Sequence, residues 1–251
     1  MRREQGGPRA WAWRAVNLVQ LGFTVAWTTL MLPVAYAQRV LSGDARAPLR
    51  LAAKVWSPGL LAGAGAALVV ENAADIDWTR PYLLVANHQS IIDICVLFMA
   101  VPVPLRFLFS SHTMRWPVVG WYGRATDMPV IDRDNPRSAP AMLRHIARLL
   151  GEGQCVCLFP EGTRTRDGRM AEFKAGPFEA ARRAGVPVLP VAVDGAGAVL
   201  PPQGLFAVRP GTIRVRFGTP IAAEADRNDL ASQAQAQVAS MLQRWRGAGA
   251  A

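Results

Sequence analysis

The sequence predicts an α/β fold in which a mixed sheet is flanked by helices and preceded by a pair of hydrophobic helices near the N-terminus. From about residue 71 onward, short apolar strands alternate with helical patterns, as in sheets covered by helices. Two long uncharged stretches occupy the first 70 residues. Hydrophobic residues make up 51% of the 251 residues and charged residues only 18%, which excludes an intrinsically disordered chain. We therefore divide the chain into a membrane-associated helical region, residues 1–70, and a single domain, residues 71–251.

The N-terminal region carries positive charge on both sides of its first uncharged stretch. Residues 15–38 contain no charged side chain, which is long enough to cross a bilayer, and a second uncharged stretch covers residues 55–70. The flanking basic residues are Arg2, Arg3, Arg9 and Arg14 before the first stretch, and Arg39, Arg46, Arg50 and Lys54 after it. Because positive charge normally stays in the cytoplasm, we expect both ends on one face, as a helical pair in one leaflet or at the interface. A single transmembrane anchor is the alternative.

The elements of the domain follow from the period of its apolar residues and from its turn residues. Strands are expected at residues 82–86, 156–159, 186–193 and 212–217, the last because Ile213, Val215 and Phe217 alternate with arginines. Pro190, within the third of these strands, predicts an edge strand or a bulge. Helices are expected at residues 91–101, from Asn135-Pro136 to Gly151, at residues 178–184 before Gly185, and along an amphipathic segment with Leu230, Ala234, Val238, Met241, Leu242 and Trp245.

The net charge of the protein narrows the classes of partner that it could bind. The 28 basic and 18 acidic residues give a net charge of +10 and a pI near 10.8. Lys54 and Lys174 are the only lysines, so arginine, whose planar guanidinium suits phosphate, supplies nearly all of the positive charge. The candidate partners are nucleic acid, an anionic membrane or a phosphorylated substrate. A codon bias toward arginine would explain the same composition.

The three cysteines, Cys95, Cys155 and Cys157, predict neither a disulfide framework nor a metal site. Their number is odd, and neither a second C-x-C pair nor paired histidines supply further ligands. We interpret them as small core residues of a protein in a reducing compartment.

The first candidate site is the segment N-H-Q-S-I-I-D at residues 87–93, which follows a predicted strand. Sites of α/β sheets lie at the carboxyl ends of strands. His88 could act there as a general base, and Asp93, five residues on, could orient its ring and stabilise the imidazolium. Ser90 and Asp93 also form the S-x-x-D pattern of a helix capping box, which would explain Asp93 without catalysis.

Three further segments stand at strand ends. In L-F-P-E-G-T-R-T-R, residues 158–166, Gly162 lets backbone N–H groups approach a ligand, and the following residues offer donors suited to a phosphate: Thr163, Arg164 and Arg166. The spacing is not that of a nucleotide-binding P-loop, and a solvated basic turn is the simpler interpretation. The segment P-V-I-D-R at residues 129–133 would also fit a surface ion pair. The segment V-P-V-L-P-V at residues 186–191 is by itself structural.

These four segments occur together and in this order, and with them the sequence resembles the lysophospholipid acyltransferase family, in particular its bacterial 1-acylglycerol-3-phosphate acyltransferases. The family's blocks correspond to residues 87–93, 130–133, 159–164 and 188–191, and F-K-A-G at residues 173–176 is similar to the segment after the third block. The resemblance covers residues 75–220. The sequence departs from the family pattern at residues 125–128, which lack the glycine that the family often has before its second block. This difference concerns which acceptor the enzyme would use.

The resemblance implies the glycerolipid acyltransferase fold and the transfer of a fatty acyl group to the free hydroxyl of lysophosphatidic acid, which gives phosphatidic acid. The donor would be a thioester of acyl carrier protein or coenzyme A, so neither a cofactor nor a metal is expected. It implies His88 as base, Asp93 as its orienter, and substrate binding by Arg133, Glu161, Gly162, Thr163, Arg164 and Lys174. The implied partners are lysophosphatidic acid, the thioester and membrane lipid, at a bacterial inner membrane with the catalytic domain on the cytoplasmic side.

Two alternatives stay open. The acceptor could be a lyso-lipid without a phosphate, such as a lyso-ornithine lipid. The protein could also be a non-enzymatic basic protein that binds nucleic acid or membranes, for which clustered arginines and aromatic residues on a basic face would be diagnostic. Its arginines are scattered along the chain, and the apolar N-terminal region has no place in a nucleic-acid module. We therefore expect no nucleic-acid partner.

Overall fold

The structure, a computed structural model, describes residues 8–164, 169–202 and 207–248. Within these residues the α-helices are α1 (Pro8–Ser42), α2 (Ala47–Leu51), α3 (Ser57–Gly63), α4 (Asp93–Ala100), α5 (Ser111–Met114), α6 (Pro117–Ala125), α7 (Ala139–Gly151), α8 (Glu179–Ala184), α9 (Ala196–Val199) and α10 (Arg227–Ala248). The strands are β1 (Ala66–Glu71), β2 (Leu83–Ala86), β3 (Leu105–Phe107), β4 (Phe109–Ser110), β5 (Val130–Ile131), β6 (Cys155–Leu158), β7 (Val188–Asp194) and β8 (Gly211–Phe217). A π-helical turn, Ala52–Trp56, joins α2 to α3.

The strands form a mixed sheet, as the sequence predicts. Six of them lie in the order β1-β8-β7-β2-β6-β3, and each neighbouring pair is parallel except β7 with β8, which is antiparallel. β4 and β5 form a separate parallel pair. Because β7, β2, β6 and β3 run in the same direction, the loops that follow them meet at one edge of the sheet, where α/β proteins place their sites.

Helices cover both faces of this sheet and bury two apolar layers. One layer packs the sheet against α3 and α4, with Leu61, Val96 and Leu84 among its members. The other packs the sheet against α7, α8 and α10, with Ile146 and Val238 among its members. Strands that are buried on both faces are apolar throughout rather than alternating, which is why β2 and β6 appear in the sequence as short continuous apolar runs.

The three cysteines lie in this core, as expected. Cys95, Cys155 and Cys157 are free and buried. Burial raises the pKa of Cys95 to about 12 and that of Cys155 to about 11. These thiols therefore stay protonated at neutral pH and behave as small hydrophobic side chains.

The N-terminal region contains the predicted helical pair. α1 runs antiparallel to the segment from α2 to α3, because Gln20 Nε2 donates to the carbonyl oxygen of Gly63 over 3.4 Å and Trp27 Nε1 donates to that of Trp56 over 3.1 Å. From Trp11 to Ser42, α1 is long and apolar enough to cross a membrane, with a mean hydropathy of 1.5 and only 6% of its apolar window buried. Most apolar side chains of α1 therefore face away from the domain.

The sheet extends further toward the N-terminus than the expected division at residue 70. α3 ends at Gly63, Gly65 turns the chain with a φ of +63°, and all six residues of β1 then pair with β8. The uncharged stretch at residues 55–70 thus contains a helix end followed by an edge strand, and the boundary at residue 70 falls inside β1. The second half of this uncharged stretch, A-A-L-V-V, is apolar enough for a helix or a strand, and its valines favour a strand.

The other predicted elements are present, with ends shifted by a few residues. The edge position predicted from Pro190 is wrong, because β7 lies inside the sheet between β2 and β8. Pro190 pairs with Val85 of β2, and its carbonyl oxygen accepts the N–H of Gly218, the residue after β8, over 2.8 Å. β8 has therefore ended at the level of Pro190, so the missing N–H interrupts no regular ladder.

Candidate active site

The loop that carries His88 leaves the middle of the sheet's carboxyl edge. Asn87 continues the pairing of β2 with β7 through its side chain, because Nδ2 donates to the carbonyl oxygen of Val193 and Oδ1 accepts the N–H of Val193, both over 2.8 Å. Ser90 Oγ donates to the carbonyl oxygen of Leu200 over 2.6 Å. The loop is thus fixed to the end of β7 and to the segment that follows α9.

His88 and Asp93, the two predicted catalytic residues, are in contact. His88 Nδ1 lies 2.7 Å from Asp93 Oδ2, the Asp93 side chain is fully buried, and the His88 side chain is 17% exposed. In the part of the chain that the structure describes, His88 Nε2 has no hydrogen-bond partner. A histidine acts as an oriented general base when a carboxylate bonds to one ring nitrogen and the other nitrogen is free to accept a proton. His88 and Asp93 have this arrangement.

Helix capping accounts for only part of the geometry around Asp93. Its Oδ2 accepts the backbone N–H of Ser90 over 2.8 Å, as in a capping box, and also that of Gln89 over 2.7 Å. The reciprocal half of the box differs, because the Asp93 N–H bonds to the Ser90 carbonyl oxygen over 3.2 Å. The Ser90 hydroxyl accepts the N–H of Ile92 over 3.4 Å and donates to Leu200. Neither half requires the contact with His88, so the capping interpretation leaves the closest feature of the site unexplained.

Phe159, which follows β6, stacks on the imidazole of His88. Their ring centroids are 3.9 Å apart with an interplanar angle of 11°, and Phe107 stacks with Phe159 at a centroid distance of 6.3 Å. This stack restrains the orientation of the imidazole ring. The sequence analysis assigns Phe159 no function of its own. The signal that could have found it is its position directly after β6, the strand next to β2, where Leu158 pairs with Val85.

Glu161, expected to bind substrate, holds two loops together. It is 4% exposed, its Oε1 accepts the backbone N–H of His88 over 2.7 Å, and its Oε2 accepts that of Ala171 over 2.8 Å. Each carboxylate oxygen therefore bonds to a backbone donor, and one of these donors is the N–H of His88 itself. The contact supports a positioning function for Glu161; its assignment to substrate binding stays a prediction.

The remaining predicted substrate-binding residues follow β5 and β6. Gly162 has a φ of +74°, and a Cβ atom there would lie 3.0 Å from Lys174 Nζ, so both the turn and the close approach require glycine. Arg133, Thr163, Arg164 and Lys174 are exposed.

Two of these residues, Arg133 and Arg164, form neither an ion pair nor a hydrogen bond with any described residue. The alternative of a surface ion pair between Asp132 and Arg133 is therefore not realised. Arg166 lies outside the described residues. Unpartnered guanidinium groups in loops at the carboxyl edge are available to an anionic ligand.

Some of the predicted site residues are in contact in the structure, and others are not. His88, Asp93 and Glu161 are in direct contact, and Gly162 touches Lys174. Arg133, Thr163 and Arg164 form no hydrogen bond or ion pair with His88 or Asp93 and lie in the loops after β5 and β6. Among residues 8–164, 169–202 and 207–248, no group of His, Cys, Asp and Glu side chains is arranged to hold a metal ion.

Comparison with known proteins agrees with this fold and with an acyltransferase. The chain is 36% identical over 163 residues to a 1-acyl-sn-glycerol-3-phosphate acyltransferase of Chlamydomonas reinhardtii, covering 65% of this chain and 49% of the relative. It is also 36% identical over 126 residues to the lyso-ornithine lipid O-acyltransferase of Rhizobium meliloti, covering 50% of this chain and 42% of the relative. The chain spans about half the length of the curated relatives it matches.

A solved structure has the same architecture. The crystal structure of the 1-acyl-sn-glycerophosphate acyltransferase PlsC of Thermotoga maritima matches with a TM-score of 0.80, covering 95% of this chain and 98% of that one at 24% sequence identity. At this identity the match establishes the fold, including the long apolar helix at its start. The sequence profile described as Acyltransferase matches residues 67–194, which include His88, Asp93 and the loop after β6. This chain therefore belongs to the acyltransferase family.

Proposed function

We propose that the protein transfers a fatty acyl group from a thioester to the free hydroxyl of lysophosphatidic acid, giving phosphatidic acid. The observation that carries the proposal is the contact between His88 and Asp93, 2.7 Å apart, with the second ring nitrogen open to a substrate. Membership of the acyltransferase family supports the reaction class. The similarity to the Chlamydomonas enzyme, named for 1-acyl-sn-glycerol-3-phosphate, supports the acceptor.

The reaction moves one proton to His88 and back. With Nδ1–H donated to Asp93, Nε2 carries the lone pair and removes the hydroxyl proton as the acceptor oxygen attacks the thioester carbonyl carbon. The C–S bond then breaks, and the leaving thiolate takes the proton from the imidazolium, so the products are an ester and a free thiol. Asp93 stabilises the imidazolium between the two steps. A thioester of acyl carrier protein or coenzyme A is already activated, so no acyl-enzyme is needed.

The acceptor phosphate would be held by the unpartnered cations around the site. Arg133 and Arg164 form no ion pair with any carboxylate of the described residues, and the exposed Lys174 lies close to Gly162. Guanidinium groups bind phosphate oxygens through two parallel hydrogen bonds. Holding the phosphate fixes the position of the hydroxyl near His88, and such positioning lowers the barrier by making attack effectively unimolecular.

The test of the acceptor is the substitution Arg164→Ala. We expect kcat/KM for lysophosphatidic acid to fall about 10- to 150-fold, because a charge-assisted contact with phosphate contributes about 1.5–3 kcal/mol. The rate with monoacylglycerol, which lacks the phosphate, should hardly change. Steady-state rates with a labelled acyl donor measure both values. Arg214→Ala, which removes an exposed arginine of β8, is the matched control and should affect neither acceptor.

The same rate measurements show whether the acceptor carries a phosphate. Arg164→Lys should recover only part of the lost rate, because a point charge does not match the fork of a guanidinium. Equal losses with the phosphorylated and unphosphorylated acceptors would contradict the phosphate assignment. A lyso-ornithine lipid, whose O-acyltransferase in Rhizobium meliloti is similar to this chain, would then become the first acceptor to assay.

We further propose that α1 lies at the membrane surface and does not cross it. Asn17 Oδ1 accepts the N–H of Val208 over 2.7 Å, and Arg39 Nε donates to the carbonyl oxygen of Ala125 over 3.0 Å. These contacts lie about 33 Å apart on a helix that rises 1.5 Å per residue, a distance close to the hydrocarbon thickness of about 30 Å. A helix held to the domain near both ends would pull the domain into the bilayer if it crossed. The proposed location is a bacterial inner membrane, with the domain on the cytoplasmic side.

Acidic substitutions on the exposed face of α1 test this location. Val19, Leu30 and Leu41 are 73%, 58% and 86% exposed, and their spacing of about three turns places them on one face. We expect the triple change to glutamate to weaken binding to anionic phospholipid vesicles by at least about 100-fold, because each buried apolar side chain contributes about 1.5–3 kcal/mol. Co-sedimentation with the vesicles measures the bound fraction.

The control carries the same added charge on another helix. Gln233, Ala236 and Ser240 are exposed on α10, and their change to glutamate should reduce vesicle binding only through the net charge. Equal losses in the two triple variants would rule out α1 as the membrane-contacting surface. A tag placed before α1 that is cleaved from the periplasmic side would instead favour the single transmembrane anchor.

A further inference from the structure

A polar cavity lies at the end of the sheet opposite to His88. It has a volume of about 180 Å³, and its wall includes Arg46, Trp78, Arg80, Arg106 and Gln154. Arg80 precedes β2, Gln154 precedes β6, and Arg106 is the middle residue of β3. Because β2, β6 and β3 are parallel, residues before these strands lie at the amino edge of the sheet, whereas His88 follows β2 at the carboxyl edge. The cavity is therefore separate from the candidate active site.

Arg106 is a buried cation whose direct partners are neutral. It is 2% exposed, its Nε donates to the carbonyl oxygen of Thr126 over 2.7 Å, and its Nη1 donates to Gln154 Oε1. None of the ion pairs among the described residues involves Arg106, Arg46 or Arg80. Burial lowers the pKa of Arg106, and the charge of Arg46 lowers it further, against the opposing effect of Asp127.

The carboxylates whose charges act on Arg106, which are Asp127 and Glu152, are engaged elsewhere. Arg46 and Arg80 lie near Asp44 and Asp77, whose carboxylates accept hydrogen bonds from the Arg50 side chain and the Thr79 hydroxyl. Glu152 accepts from Arg148 Nη1 over 2.7 Å and from Gln154 Nε2 over 2.9 Å. Asp127 accepts from Arg148 Nη2 over 2.6 Å and lies 2.9 Å from His145. A buried guanidinium is normally compensated by an anion. Here three guanidinium groups line one cavity, and no carboxylate lies within 4 Å of any of them among the described residues.

We propose that this cavity is a second anion site, in which Arg46, Arg80 and Arg106 bind a phosphate group. Its volume is many times the roughly 10–15 Å³ of such space that a cavity needs to hold one water molecule, which leaves room for a tetrahedral oxyanion. Arginine forks suit phosphate oxygens. Arg46 lies in the short connection between α1 and α2, beside the helical pair that we place at the membrane. The phosphate could therefore come from a lipid headgroup or from a soluble phosphate.

Calorimetric titration of the full-length protein in neutral detergent with inorganic phosphate tests the site. The double variant Arg46→Gln, Arg80→Gln removes two exposed guanidinium groups and leaves the buried Arg106 in place, so that folding is preserved. We expect phosphate binding at this site to weaken at least about 10-fold, since each charge-assisted contact contributes about that factor or more. The kcat/KM for lysophosphatidic acid should stay within about two-fold, because the active site is at the other edge of the sheet.

Matched variants assign the result to this cavity. Arg209→Gln, Arg214→Gln removes the same charge from exposed arginines elsewhere and should leave phosphate binding unchanged. Arg164→Ala should remove phosphate binding at the active site and leave this second event intact, so failure of either site is distinguishable from failure of the other. Wild-type phosphate binding in the Arg46→Gln, Arg80→Gln protein would overturn the proposal.

Vesicles distinguish the two sources of phosphate. The protein is bound to phosphatidylcholine vesicles with and without phosphatidylglycerol. If the cavity variant loses more affinity for the anionic vesicles than the Arg209→Gln, Arg214→Gln control, the ligand is a lipid headgroup. If both variants lose equally while phosphate titration still separates them, the ligand is a soluble phosphate. No difference in either assay would contradict the site altogether.

Discussion

The variant His88→Ala is expected to lose about 10²- to 10⁴-fold in kcat, the range that a positioned general base contributes. His88 Nε2 is the open nitrogen of the pair with Asp93, and alanine leaves no group to accept the hydroxyl proton. The loss should appear in kcat with both lysophosphatidic acid and monoacylglycerol, because the proton transfer is common to them. Single-turnover rates with a labelled thioester measure the chemical step directly.

Two comparisons separate this loss from misfolding. His88 is partly exposed and stands in a loop, so the melting temperature of the His88→Ala protein should remain close to that of the wild type. His145→Ala removes a histidine that also faces a carboxylate, Asp127 at 2.9 Å, and should retain nearly full activity. A folded His88→Ala protein with wild-type turnover would end the general-base mechanism.

The contact between His88 and Asp93 could be predicted from the sequence because it is local. His88 and Asp93 are five residues apart at the end of a strand, and one turn at the start of α4 is enough to bring their side chains together. The strand itself was visible as an apolar run bounded by polar residues. Local periodicity likewise found α7, α10 and β8, whose apolar residues repeat with the period of a helix or a strand.

The contacts that the sequence did not predict are long-range. Glu161 and the backbone of His88 are 73 positions apart, and their contact depends on β2 and β6 being neighbours in the sheet. The stacking of Phe159 on His88 depends on the same neighbourhood. Strand order is set by how the helices cover the sheet, and no local pattern carries that information.

The two errors at β1 and Pro190 have a common physical cause. Each was judged from local composition, which does not specify a strand's neighbours. The uncharged stretch before residue 71 looked like part of a membrane-associated helix, yet β8 offers its edge to residues 66–71. Pro190 indicates an edge strand or a bulge, yet β7 lies inside the sheet, and Pro190 is accommodated at the level where β8 ends. The pairing of β1 and the accommodation of Pro190 both depend on β8, which lies more than 20 residues away from β1 and from Pro190 in the sequence.

The substitution Asp93→Asn is expected to lower kcat by about 10²- to 10⁴-fold while leaving the protein folded. An asparagine oxygen in place of Oδ2 can still accept the N–H groups of Gln89 and Ser90. It carries no charge, so the imidazolium that forms at His88 loses its stabilisation. The amide NH₂ would replace Oδ1, which is buried without a hydrogen-bond partner among the described residues, at a cost to folding of about 1–3 kcal/mol.

The comparison with Ser90→Ala decides between catalysis and capping as the function of Asp93. Ser90→Ala removes the hydroxyl bond to Leu200 and leaves Asp93 and His88 untouched, so we expect the free energy of unfolding to fall by about 1 kcal/mol with nearly normal kcat. Thermal unfolding and initial rates, measured on both variants, give the two quantities. If Asp93 serves only the start of α4, Asp93→Asn should behave like Ser90→Ala and keep its activity. A stable Asp93→Asn protein with lost turnover shows that its charge acts on the imidazole.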